Sequence, residues 1–145
     1  MTMIATFETK GLGDEKAPVR LDGAARGAPA AILRLEAAMV LALASAAYAR
    51  LGEGWVMFAI LFLVPDLSML GYFAGRRIGA AAYNAGHSYL IPATLCAGGL
   101  VTGQAMVTSI GLIWVAHIGF DRLLGYGLKY AGGFGQTHLG VKGRG

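Results

Sequence analysis

The stretch WVMFAILFLVPDLSMLGYFA, Trp55–Ala74, decides the fold. It is about 20 residues long, almost wholly apolar, and carries a single ionisable side chain, Asp66, directly after Pro65. At about 1.5 Å per residue such a helix covers the roughly 30 Å of hydrocarbon in a bilayer. An ionisable group at that depth costs roughly 2.5–3.5 kcal/mol on insertion scales. Asp66 is therefore expected to face the interior of a helix bundle and to meet a partner there.

Three other stretches read the same way: Ala30–Ala49, Gly79–Val101 with Pro92 inside it, and Ala105–Leu124. The chain of 145 residues is 56% hydrophobic and only 14% charged, against about 25% charged for a soluble domain. The expected fold class is all-α, an integral membrane four-helix transmembrane bundle. Residues 1–28 read as a flexible polar N-terminal tail, being mixed in charge, aperiodic and dotted with Gly and Pro. Residues 29–145 read as the four-span transmembrane domain, ending in a Gly-rich polar C-terminal tail. Pro65 and Pro92 are expected to kink their helices.

The net charge of +4 does not point to nucleic acid, because the basic residues form no stripe and no aromatic-interleaved motif. They mark topology instead. Lys10, Lys16, Arg20, Arg26 and Arg34 precede or open the first span, Arg76 and Arg77 join the second to the third, and Arg122, Lys129, Lys142 and Arg144 end or follow the fourth. The opposite loops hold only Arg50. This favours a cytoplasmic membrane protein with both termini in the cytoplasm. The one cysteine, Cys96, excludes an internal disulfide and any Cys-pair zinc site. Gly71, Gly75 and Gly79, like Gly99 and Gly103, recur at every fourth position, which suits close helix approach or, more sharply, homodimerisation.

Four costly groups stand out: Asp66, His87, His117 and Asp121. With this topology all four fall in the cytoplasmic half of the bilayer and can meet in one pocket. His117 and Asp121, at i and i+4, share a helix face. Two His and two Asp suit a divalent zinc, iron or manganese ion, and helical bundles build such sites from facing helices. A bound metal lowers the pKa of a water and supports hydrolysis. The plainer reading is a buried hydrogen-bond network that fixes helix register, with Asp66 paired to Arg76 or Arg122 and His117 to Asp121.

Smaller features have plain readings too. Asn84 is either a hydrogen-bond partner orienting His87 or an interhelical contact. Ser68 and Tyr72 form an i, i+4 pair. Arg34 and Glu36 read as snorkelling interfacial charges. Tyr48, Trp55, Tyr83, Tyr126 and Tyr130 read as an aromatic belt, with Trp114 deeper and packed on the bundle. His138 reads as a solvated tail residue, unless the C-terminal segment folds under the bundle.

The segments LRLE (Leu33–Glu36), PDLSMLGY (Pro65–Tyr72), YNAGHSYLIP (Tyr83–Pro92), HIGFDRLLGYGLKY (His117–Tyr130) and FGQTHLG (Phe134–Gly140) together resemble a family of small bacterial membrane proteins known only as a domain of unknown function. The resemblance runs from about Ala30 to the C-terminus and implies a four-span bacterial membrane protein. The typical tail of that family reads Asp-Thr-His, and Gln136 stands here in place of the Asp. A looser similarity is to membrane-bound metal-dependent hydrolases, which also carry Pro-Asp and His-Xaa-Xaa-Xaa-Asp segments but have a further His-rich motif that this chain lacks.

The sequence thus points to a membrane protein with a buried Asp/His site, metal-binding and hydrolytic on an amphiphilic substrate in its leading reading. No single catalytic residue is assigned, although one acid of the four is a candidate base. The competing readings are a non-enzymatic accessory subunit of a larger membrane complex, and a small transporter or proton pathway. The expected surroundings are the lipid bilayer and a homo-oligomer or larger complex.

Overall fold

The computed structural model describes residues 24–51, 53–132 and 134–141, so the expected flexible tail at 1–28 lies almost entirely outside the described residues. Among these the chain is mostly helical: α1 (Gly27–Leu51), α2 (Trp55–Phe62), a 3₁₀ segment (Val64–Ala74), α3 (Arg76–Gly86), α4 (Leu90–Thr102) and α5 (Ala105–Leu124). A two-residue antiparallel ladder, β1 (Gln136–Thr137) with β2 (Gly140–Val141), follows. Three stretches are long and apolar enough to cross a membrane: α1, α5, and α2 running on through the 3₁₀ segment.

Helix α5 is the centre. It buries Thr108, Ser109, Gly111, Ile113, Ala116, His117, Ile118 and Gly119, while α1, α2 and α4 pack around it. The contacts are close because the residues are small. A side chain at Gly119 would run into the backbone of α1 at Ala37 and Leu41, and one at Gly111 into Cys96 and the backbone of α4. Large apolar side chains point outward instead, among them Leu35, Met39, Val56, Ile60, Leu90 and Val101. That inversion is what a lipid solvent permits and water does not.

The second span is not a uniform helix. Pro65 has no N–H for an α-helical ladder, and the Asp66 N–H bonds the Leu63 carbonyl at 3.2 Å, three residues back. With about three residues per turn, side chains then stack in three rows. Pro65, Ser68 and Gly71 face α3, where Gly86 and Ala82 meet them. Asp66, Met69 and Tyr72 are half-buried, and Leu67, Leu70 and Phe73 are exposed. The winding thus gives Asp66 a face separate from the lipid-facing row.

The third span corrects the sequence reading. Gly79–Val101 is not one helix but two, α3 and α4, separated at His87, Ser88 and Tyr89. Pro92 is no mid-span kink; it lies in the first turn of α4, where no backbone N–H is required. The carbonyl of Gly86, freed by the break, is taken by the Trp114 indole N–H at 2.6 Å. The glycine repeats serve contacts within the chain: Gly79 lies against the Tyr72 ring, Gly71 against Ala82, and Gly99 against Thr108. Gly103, at φ 68°, supplies the left-handed residue that ends α4 and turns the chain into α5.

The described residues after α5 pack against the rest of the chain. Gly125, at φ 85°, ends α5 and lets the Tyr126 N–H reach the Asp121 carbonyl at 2.8 Å. The His138 N–H then donates to the Leu128 carbonyl and the Tyr130 N–H to the Gln136 carbonyl, and the Ala25 N–H bonds the His138 carbonyl at 2.8 Å. The Gly-rich stretch therefore folds against the start of α1.

Candidate metal centre

Asp66 comes from the 3₁₀ segment, His87 from the break after α3, and His117 and Asp121 from adjacent turns of α5. Each offers one ligand atom, and the four atoms lie within 4.8 Å of one another. His117 Nε2 is 3.1 Å from His87 Nε2. Asp66 Oδ1 is 3.6 Å from both of those nitrogens, and Asp121 Oδ2 is 3.4 Å from His87 Nε2. A tetrahedral ion with ligands at about 2.0–2.1 Å requires ligand atoms about 3.3–3.4 Å apart. The four separations given, 3.1–3.6 Å, bracket that value, and the remaining ones lie within 4.8 Å.

Burial is graded across the site. The side chains of His87 and His117 are 3% and 2% exposed, that of Asp121 15%, and that of Asp66 43%. The imidazoles form the floor, and Asp66 stands at the open edge. Two neutral imidazoles and two carboxylates carry a charge of about −2, which matches a divalent cation.

The surroundings orient the ligands. His87 ends α3, and the Tyr83 carbonyl accepts both its backbone N–H, at 2.8 Å, and its ring Nδ1–H, at 3.0 Å. A carbonyl only accepts, so the proton sits on Nδ1 and the Nε2 lone pair faces the cluster. This arrangement is usual behind a metal-ligating histidine. The Tyr83 hydroxyl donates to Asp121 Oδ2 at 3.0 Å. His117 packs edge-on against Phe62, centroids 5.2 Å apart, and its Nδ1 has no hydrogen-bond partner among the described residues.

Several residues read otherwise from sequence belong here. Tyr83 is buried and is no belt residue. Lys129, read as a topology charge, is buried with its ammonium 3.3 Å from the Phe134 ring centroid, 4.4 Å from that of Tyr83 and 5.4 Å from that of Tyr72. Burial pushes its ammonium below the ordinary lysine range, against the opposing fields of Asp121 and Asp66. Asn84 holds that segment in place: its amide donates to the Lys129 carbonyl at 2.9 Å and accepts from the Lys129 N–H at 2.7 Å. Its role is thus to fix the segment beneath the site, and the His87 ring is oriented by the Tyr83 carbonyl instead. Asp66 pairs with the two histidines and not with Arg76 or Arg122; Arg122 lies over the Tyr89 ring, 4.3 Å from its centroid.

Residues 30–141 match the family model described as Domain of unknown function (DUF4260). The chain belongs to this family. The match covers α1 from Ala30 on, every later element to β2, and all four residues of the cluster. Comparison with curated proteins found no match, and comparison with solved structures found none either.

Proposed function

We propose that this protein is a metal-binding protein of the bacterial cytoplasmic membrane, with one divalent ion held by Asp66, His87, His117 and Asp121. The observation that carries the reading is the convergence of these four groups, from three separate elements, at spacings that suit one ion. The oriented Nε2 of His87 supports it further. The Lys and Arg distribution favours both ends of the chain in the cytoplasm, with the site in the inner half of the bilayer.

The half-exposed Asp66 puts one side of the site within reach of a substrate, and an ion that takes three of the four groups at a time would keep its fourth position for water, as catalytic sites do. Beside it run the exposed Leu67, Leu70 and Phe73, so a substrate with an apolar chain has a surface to follow. Hydrolysis of an amphiphilic substrate is therefore the activity that the site best supports. Zinc, iron and manganese all suit this donor set, and the ion would supply an activated water. Asp121, oriented by Tyr83, is placed to hold a proton or to complete the ligand set.

Elemental analysis of the detergent-purified protein, beside the Asp66/His87/His117/Asp121→Ala quadruple variant, tests this. About one metal ion per chain, lost in the quadruple variant, is expected. No metal in the wild type after reconstitution with zinc, iron and manganese would overturn the reading and leave the four groups as a register-fixing network.

A further inference from the structure

A second polar cluster lies outside the metal centre, in a cavity of about 120 Å³ where α1, the end of α5 and the C-terminal segment meet. It is lined by Leu33, Glu36, Tyr89, Arg122, His138 and Leu139, among others. The volume exceeds by several-fold the roughly 10–15 Å³ that one water needs.

Its polar groups are of two kinds. The guanidinium carbon of Arg122 lies over the Tyr89 ring, 4.3 Å from its centroid, and a guanidinium held against a ring face still has N–H donors to offer at its edges. Among the described residues no carboxylate forms an ion pair with it. His138 Nδ1 accepts the Leu128 N–H at 2.8 Å, so the ring proton is on Nε2 and that nitrogen donates. Burial, aided by Arg122, holds this imidazole below its ordinary pKa, so it is a neutral donor at pH 7. Glu36 offers the opposite chemistry, a carboxylate that accepts hydrogen bonds or meets a cation. Leu33, Val40 and Leu139 complete the lining with apolar wall.

We propose that this cavity binds a phosphate ester carrying a primary ammonium group, the chemistry of an aminophospholipid head group. Arg122 and His138 take the phosphate oxygens, and Glu36 takes the ammonium. Inorganic phosphate leaves Glu36 without a partner and facing a like charge. A neutral lipid leaves Arg122 unused. The level fits too: Arg122 is in the last turn of α5, where a 20-residue span reaches the head-group region. The apolar wall of the cavity adjoins the exposed Ile32 and Leu35 on α1, so an acyl chain leaves the site along a lipid-facing surface.

This inference does not rest on the metal centre, and its test needs no metal. Delipidated protein in mild detergent is mixed with phosphatidylethanolamine, phosphatidylglycerol or phosphatidylcholine, and retained lipid is read by native mass spectrometry. Retention of phosphatidylethanolamine over the other two is expected. Arg122→Gln should lower it by about tenfold or more. Glu36→Gln should invert the preference towards phosphatidylglycerol, an outcome that a merely unfolded variant does not produce. If Arg122→Gln fails to fold, Arg122→Lys keeps the charge, loses the planar fork and should still weaken retention. Soluble phosphoethanolamine, added as competitor, separates the sources. Displacement at equal concentration assigns the site to the free head group, and failure to displace assigns it to the membrane lipid; both uphold the proposed chemistry. Equal retention of all three lipids, or a preference unchanged in both Arg122→Gln and Glu36→Gln, overturns it.

Discussion

Tyr83 and His87 are coupled twice: their rings stack 3.8 Å apart and 10° from parallel, and the Tyr83 carbonyl holds the His87 Nδ1 proton. The Tyr83 hydroxyl reaches on to Asp121. One residue thus orients two of the four groups of the candidate centre.

Tyr83→Phe keeps the stacking and the carbonyl but removes the bond to Asp121. Metal affinity should fall about 10- to 100-fold, the usual effect of losing a partner behind a ligand. Competition with a chromophoric chelator measures it, and an unchanged Kd in a folded variant removes Tyr83 from this role.

Trp114→Phe preserves most of the packing but leaves the Gly86 carbonyl without its donor. A buried acceptor left unmade costs about 1–3 kcal/mol. Thermal unfolding in detergent should show the loss, and metal binding should weaken with it because His87 follows Gly86 directly. A Tm equal to that of the wild type would show that the indole bond contributes nothing to the break.

Gly79→Ala places a methyl group in the Tyr72 ring. Overpacking of this kind costs about 1–3 kcal/mol. Since Gly79 faces the 3₁₀ segment of its own chain, stability should drop while the oligomeric state stays the same. A change of oligomeric state by light scattering, without loss of stability, would show that the glycine repeat serves an interface between chains.

His138 has a pKa below its ordinary value, with burial the largest cause. The folded state therefore binds this proton less readily than the unfolded one. Its contribution to stability is complete above the unfolded pKa of about 6.5 and declines as pH falls from there towards the folded pKa. Unfolding midpoints taken from pH 7.5 down to 5.5 should fall more steeply in the wild type than in His138→Gln. Parallel profiles would place the acid sensitivity elsewhere.

Much of this architecture is legible in the sequence for one reason: apolar runs of span length have few alternatives. Asp66, His87, His117 and Asp121 stand out because each is expensive in such a run, and the structure gathers all four. The break at His87 has a signal too, Gly86 at the end of one helix and Pro92 in the first turn of the next, but hydropathy runs straight through it. Pro65 signals a break in the α-helical ladder, but that the 3₁₀ winding then runs on to Ala74 against α3 is not encoded in a local pattern. Tyr83 and Lys129 look like an interfacial aromatic and a topology charge by composition. Only the tertiary contacts reveal them as parts of the site: the Tyr83 hydroxyl on Asp121, and the fold of the C-terminal segment that sets Lys129 over the Tyr83 ring.

The hydrogen bond from Ala25 to the His138 carbonyl carries a consequence for parity. It ties the approach to α1 to the segment after α5, so the two ends of the described chain share one face. A chain whose ends share a face crosses a bilayer an even number of times. The three long apolar stretches alone make an odd number and would part the ends by the full thickness of the membrane. With all three of those stretches counted as crossings, the broken pair α3 and α4 is the helical length left to restore an even number, with His87 at the joint between its halves.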